Sequence, residues 1–242
     1  MNLHTLRRDV RNAGIARVGL DYAYRAVNKI TRLMALTMLS VTPETVDASF
    51  LSGDTERVHR FLSSPELVAL SGDPVYELVP DFLAQALAKG DRCYAILDGA
   101  RVASYGWYSR VETMVTDDLA LRFSPEWVYM YKGLTLPDYR GQRLHAIGMA
   151  RAMMEYANEG SRGVVSFVEA NNFSSLKSCY RMGYVKAGTI VALKVGPRHL
   201  IHVGRGCEPF GFGLRLITAA PPSRFRDGAG PSTPAAAQRS GD

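Results

Sequence analysis

The stretch of this sequence with the most chemistry in it is Leu134-Thr-Leu-Pro-Asp-Tyr-Arg-Gly-Gln-Arg-Leu-His-Ala146. A strand-like run stops at Pro137, a short basic turn containing Gly141 follows, and an apolar repeat of helical period begins at Leu144. The first N–H groups of a helix have no partner within it and sit at the positive end of its dipole, so a turn of this kind can hold an anion. Arg140 and Arg143 add two full positive charges beside them. An ordinary strand-to-helix connection would also fit, and the turn alone does not choose. Other reactive residue types are less telling. His199 and His202, three apart on a strand-like run, read as surface or pairing residues rather than ligands. Cys93, Cys179 and Cys207 are odd in number and lack metal-ligand spacing, so they indicate neither a zinc site nor a disulfide framework.

The elements that must position the turn alternate along the chain. Leu36–Thr42 reads as a first strand, 45–69 as a largely helical region interrupted at Pro65, and Pro80–Lys89 as a helix. The period then becomes two. Arg92–Leu97 and Val102–Ser109 flank Asp98-Gly99, a pair that supplies the positive φ of a tight hairpin turn. Trp127–Leu136 is a further strand, and Leu144–Asn158 is an amphipathic helix with Ile147, Ala150, Met154 and Ala157 on one side. Val164–Val168, helix Ser174–Met182, and strands Tyr184–Val195 and Leu200–Val203 complete the pattern. This is a mixed α/β order with an antiparallel front half.

Composition and charge exclude several classes. Hydrophobic residues make up 47% of the 242, enough for one good core with appendages. No apolar run reaches the roughly 18 to 20 residues needed to span a bilayer, and the first residues lack the apolar stretch of a secretory signal, so the cytoplasm is the default expectation. Nearly all of the net +6 lies in residues 1–35, where seven basic side chains face two acidic ones. That concentration argues against a nucleic-acid face on the main domain. Residues 1–35 form a basic amphipathic helical arm, and two readings stay open for it: packing on the domain, or peripheral contact with an anionic membrane face. Residues 36–206 form the main domain, and 207–242 an extension that from Ala219 is too poor in large apolar residues to order itself by burial.

Two ordered motifs carry a family likeness. Leu-Pro-Asp-Tyr-Arg-Gly-Gln-Arg-Leu-His resembles the acetyl-CoA motif of the GNAT (GCN5-related N-acetyltransferase) superfamily, usually a Pro-x-Tyr-Arg-Gly-x-Gly-x-Gly run. Asn172-Phe-Ser-Ser-Leu-Lys-Ser-Cys-Tyr-Arg-Met-Gly-Tyr184 resembles that family's Asn-x-x-(Ala/Ser)…Gly-Phe segment. The resemblance covers roughly residues 36–206. It implies a mostly antiparallel sheet splayed between its fourth and fifth strands, here Trp127–Leu136 and Val164–Val168, with helices on both faces and pantetheine in the gap.

The activity that the likeness implies is acyl transfer, acetyl foremost, from acyl-CoA to an amine. The amine attacks the thioester directly and needs neither a metal nor a covalent intermediate. Leu134, Thr135 and Leu136 would meet the pantetheine and thioester. Arg140, Gly141, Gln142, Arg143, Leu144, His145 and Ala146 would hold the pyrophosphate, with His145 facing phosphate, and Asn172 and Ser175 would close over the CoA. Two departures stand out: Arg143 and His145 occupy places where later glycines usually stand, and Cys179 falls where many relatives carry a thiolate-protonating tyrosine. Cys179 as a packing residue, Cys179 as donor and the adjacent Tyr180 as donor are three open readings. Glu169 is the first choice for general base, with Tyr131 and Glu126 behind it. The acceptor, the acyl length and the oligomeric state are not readable from the chain. A non-catalytic GNAT-like module binding CoA or a partner is the alternative.

Overall fold

The computed structural model describes residues 32–217. In chain order the strands are β1 (Leu33–Val41), β2 (Val58–Phe61), β3 (Arg92–Asp98), β4 (Arg101–Ser109), β5 (Thr113–Thr116), β6 (Leu119–Arg122), β7 (Trp127–Thr135), β8 (Gly163–Glu169), β9 (Val185–Val195), β10 (Arg198–Val203) and β11 (Gly213–Leu216). The α-helices are α1 (Ser64–Leu70), α2 (Pro80–Ala88), α3 (Leu144–Asn158) and α4 (Phe173–Arg181). Eight strands form one sheet in the order β10-β9-β1-β8-β7-β4-β3-β2, and β11-β6-β5 form a second, small sheet. Every pairing is antiparallel except β7 with β8. The expected fold class, a mostly antiparallel mixed sheet with helices on both faces, is therefore the one observed. The strands read as fourth and fifth are β7 and β8 in chain order, because β2 and the β5–β6 hairpin precede them.

The two faces of the large sheet bury different clusters. Against α3 and α4 lie Leu39, Tyr94, Ile96, Tyr108, Val128 and Met130. On the other face α1 and α2 cover Cys93, Val102, Tyr105, Trp107 and Leu136. Beside them Leu121 of the small sheet and Phe212, just before β11, cover Met38, Trp127, Tyr129 and Val165. Trp107 is fully buried with Phe82 edge-on at 5.2 Å, a burial typically worth about 1.5 to 3 kcal/mol per large apolar side chain.

Residues 45–69 correct the sequence reading. They hold only a short 3-10 turn (Ala48–Phe50), then β2, then α1. Pro65 opens α1 instead of interrupting a helix, because a proline in the first turn loses no helical hydrogen bond. The hairpin turn sits one residue later than expected: Asp98 pairs with Arg101, and the positive φ, 59°, falls on Gly99. The chain stays with the fold beyond residue 206, where Cys207 and Phe212 are buried and β11 pairs with β6. Of the arm at 1–35 only residues 32–35 are described, and 33–35 begin β1. The tail expected from Ala219 lies outside the described residues.

Candidate functional site

Between β7 and β8 the ladder contains only Trp127–Gly163, Val128–Val164 and Tyr129–Val165. Beyond it, β7 keeps its pairing with β4 as far as Thr135, and β8 keeps its pairing with β1 as far as Glu169. The two inner edges thus part, and the Ser166 hydroxyl marks the fork by donating to the Met130 carbonyl at 3.0 Å. On β7 a bulge sits at the same level: Trp107 pairs with Lys132 and Tyr108 with Met130, which leaves Tyr131 as the extra residue. Tyr131 and Lys132 both turn toward Phe82 of α2, at 6.2 Å between rings and 4.5 Å from Nζ to the ring centre. Further along, the Leu134 carbonyl accepts from the Ser104 hydroxyl at 3.0 Å and the Leu136 N–H donates to the Ala103 carbonyl at 3.0 Å. Their backbone groups face β4. By strand alternation Gly133 and Thr135 present theirs to the gap. Of the three residues expected to meet pantetheine, Thr135 has its backbone on the open side, and Gly133, missed in the sequence, joins it.

The gap runs toward the start of α3. Pro137–Tyr139 make a 3-10 turn, Gly141 takes φ 83°, and Arg143 stands at the N-cap with φ 59° and no side-chain cap bond. The first-turn N–H groups of Leu144, His145 and Ala146 are therefore uncapped by any side chain. Arg140 and Arg143 are exposed and enter none of the salt bridges among the described residues. The rest of the turn is braced. Tyr139 donates to Asp98 at 2.9 Å, Arg101 pairs with Asp138 at 3.0 Å, and Arg57 donates to Gln142 Oε1 at 2.9 Å and Asp54 Oδ1 at 3.0 Å. Gln142 is thus held by Arg57, a cation on the β1–β2 connection that no sequence signal ties to this turn.

His145 points away from the direction expected of a phosphate ligand. Its ring lies against the sheet, where a Cβ on Gly133 would come within 2.7 Å of His145 Cε1. The ring has room there because residue 133 carries no side chain. Tyr94, Ser104, Gly106, Tyr108 and Met149 complete a cavity of about 10 Å³ around the ring, enough for roughly one water. Burial lowers the pKa of His145, as it does for His59, whose burial outweighs the opposing pull of Asp54. The sign follows directly. With folded values below the unfolded value of about 6.5, the unfolded chain binds protons first, so the contribution of these histidines is intact above that pH and is lost as pH falls through it. We expect thermal stability to drop from pH 7.5 to pH 5.5, and the drop to be smaller in His145→Ala. Melting curves at the two pH values check this, and an equal drop in both proteins would rule out His145 as a contributor.

The second motif folds as a capped helix. Asn172 Oδ1 accepts from the Ser175 N–H at 3.2 Å and the Ser174 hydroxyl at 3.1 Å, so the asparagine caps α4 and Ser175 is buried in its first turn. Cys179 packs into the α3 face, and burial pushes its thiol up to about 12. A thiol that holds its proton so tightly is a poor donor to a leaving thiolate whose own pKa lies nearer 8.5. Tyr180 points to solvent, 47% exposed. Alternation puts Phe167 and Glu169 of β8 on the same face as Tyr129 and Tyr131 of β7, and Tyr129 stacks on Phe167 at 6.0 Å. Two of the candidate bases, Glu169 and Tyr131, therefore share one side of the gap. Glu126 does not, because it precedes the paired end of β7 and forms a salt bridge with Arg162 at 3.5 Å. His199 pairs with Asp118 at 3.2 Å, far from the fork, and His202 is exposed on β10. Among the described residues no three His, Cys, Asp or Glu side chains group as a metal site, and no helix is long and apolar enough to cross a membrane.

No family model matches the sequence, and no curated protein matches it. Solved structures do. A putative acetyltransferase of the GNAT family from Novosphingobium aromaticivorans is 17% identical, with a TM-score of 0.44 over 67% of this chain and 64% of that one. The match thus spans less than two thirds of the Novosphingobium protein. An aminoglycoside N-acetyltransferase in complex with CoA is 17% identical, with a TM-score of 0.41 over 53% of this chain and 92% of that one. A conserved protein of unknown function from Staphylococcus epidermidis is 12% identical, with a TM-score of 0.48 over 74% of this chain and 66% of that one.

Proposed function

We propose that this protein is an acyl-CoA-dependent N-acyltransferase of the GNAT type. One observation carries the reading: the β7–β8 fork leads to a helix start with no side-chain cap, flanked by two exposed arginines that enter no salt bridge among the described residues. An extended thiol-bearing arm can add to the open edge of β7 by hydrogen bonds to Gly133 and Thr135, while its pyrophosphate meets the N–H groups of Leu144, His145 and Ala146 with Arg140 and Arg143. The thioester would then lie near the fork. The acceptor amine approaches from the face of Tyr129, Tyr131, Phe167 and Glu169, attacks the carbonyl carbon, and expels the CoA thiolate as the oxyanion is held by a strand N–H. Acetyl is the acyl group of first choice. A second reading, a module that binds CoA without turnover, is favoured by the inward, tightly protonated Cys179 and the outward Tyr180, neither of which is placed as the thiolate's donor.

One experiment separates the two. The purified protein is titrated with CoA by calorimetry and then assayed for thiol release from acetyl-CoA with n-butylamine, glucosamine, lysine and a short peptide as acceptors. Binding with turnover is the expected result. Binding without turnover across the panel selects the module, and no binding removes both.

A further inference from the structure

On the acceptor face of the fork lies a carboxylate that neither the motifs nor the resemblance singles out. Asp91 follows α2 in a Schellman turn: Gly90, at φ 79°, donates to the Leu87 carbonyl at 3.0 Å, and the Asp91 N–H donates to the Ala86 carbonyl at 2.9 Å. The side chain of Asp91 is only 1% exposed. One oxygen, Oδ2, accepts from the Tyr131 hydroxyl at 2.7 Å and pairs with Lys89 Nζ at 3.0 Å, while Oδ1 is buried with no partner. Lys89 is itself fixed by the Thr113 hydroxyl at 2.8 Å. Burying an aspartate and leaving one of its oxygens unsatisfied costs stability.

The position of Tyr131 gives that cost a purpose. It is the bulged residue of β7, two positions past the last β7–β8 pair, where the open edge begins. Because its O–H points at Asp91, its oxygen lone pairs are left to accept a proton from elsewhere. Burial and the neighbouring Asp91 keep the phenol firmly protonated, so Tyr131 does not act as a free phenolate.

Resting on the acyltransferase reading, we infer that Tyr131 and Asp91 form a two-step proton relay from the acceptor amine. As the nitrogen lone pair bonds to the thioester carbon, the amine's N–H proton passes to Tyr131 Oη, and the Tyr131 proton passes to Asp91 Oδ2. The C–S bond then breaks with its electron pair on sulfur, and the proton on Asp91 returns through Tyr131 to the thiolate or to solvent. Lys89 fixes the carboxylate without touching substrate and is a positioning residue. The charged and titratable groups around the pair are Lys89 from the end of α2, Cys93 from β3, Tyr129 and Lys132 from β7, and Tyr156 from α3.

The test uses the full chain, acetyl-CoA, and the fastest amine of the panel above. Tyr131→Phe retains the ring and its packing, and Asp91→Asn retains the shape of the carboxyl. Both should lower kcat by roughly 100- to 10,000-fold while CoA affinity stays within about twofold of wild type. A rate measured across H₂O–D₂O mixtures should bend for the wild type, with two protons in flight, and be straight or absent for Tyr131→Phe. Asp91→Asn is compared only if it melts cooperatively, and Tyr131→Phe decides otherwise. An active wild type with Tyr131→Phe unchanged in kcat and in isotope curvature would overturn the relay and leave the acyltransferase reading standing. A wild type that binds CoA but acylates no amine overturns both.

Discussion

Arg143→Gly should bind CoA roughly 10- to 150-fold more weakly than the wild type and yet melt at a higher temperature. The two directions have separate causes. Arg143 carries φ 59°, a left-handed conformation that costs a side-chain-bearing residue about 1 to 2 kcal/mol and a glycine almost nothing. Part of that relief is offset by the greater freedom of glycine in the unfolded chain, so a gain of about 1 kcal/mol, or roughly 2 to 4 °C in Tm, is expected. The guanidinium is lost at the same time. A charge-assisted contact to a phosphate oxygen typically contributes about 1.5 to 3 kcal/mol, which gives the stated range of affinity. Arg143→Ala should lose the same affinity without the thermal gain. The salt dependence of CoA binding should flatten in both variants, since one screened charge is gone. Calorimetric titration of CoA at two salt concentrations, with melting curves of the same samples, measures all of this. A more stable Arg143→Gly with unchanged CoA affinity would make the turn a plain connection and would sink the proposed site.

The largest loss of stability should come from Gly183→Ala, in the second motif. Gly183 leaves α4 at φ 92°, and a Cβ there would lie 2.1 Å from the Thr45 carbonyl oxygen and 2.7 Å from Val46 Cα. Both obstacles are backbone, and the Asp47 N–H to Met182 carbonyl bond at 3.3 Å fixes that segment in place. We expect a cost of at least about 3 kcal/mol, or roughly 6 to 12 °C in Tm. Gly160→Ala is the internal control. Gly160 has nearly the same φ, 90°, but open space where the methyl would go. That variant should lose only the conformational part, about 1 to 2 kcal/mol. Equal melting temperatures for the two would show that residues 45–47 yield freely to the added methyl.

These two glycines also show where sequence reasoning reached and where it stopped. Helix Leu144–Asn158 was readable to the residue, because a 3.6-residue apolar repeat and a preceding proline turn agree. The β3–β4 hairpin was readable from its period and its Gly99. By contrast, Val58-His-Arg-Phe61 offers four residues with no clear repeat, and it becomes β2 only because β3 needs a neighbour. The β5, β6 and β11 strands are equally short. Within the site, the basic turn and Asn172 were legible as local patterns. The inward turn of His145, the clamp of Arg57 on Gln142 and the bond from Tyr131 to Asp91 were not. Each depends on a partner far away in the chain, 85 residues for Arg57 and Gln142, 40 for Tyr131 and Asp91.

The central place of β1 has a consequence for how the chain reaches this state. Its residues pair with 164–169 on one side and with 185–193 on the other, so the earliest described strand is an inner strand of the finished sheet. The β9–β10 hairpin is joined to the rest of the sheet through β1 alone. On a ribosome, Leu33–Val41 must therefore wait until well over a hundred further residues have emerged, exposing an apolar strand with two open edges meanwhile. The β3–β4–β7 meander can close early from near neighbours, whereas the half of the sheet that carries β8, one wall of the fork, closes only at the end. Such non-local pairing slows folding toward the millisecond-to-second range, and the cleft between β7 and β8 takes shape only once β8 has both its neighbours.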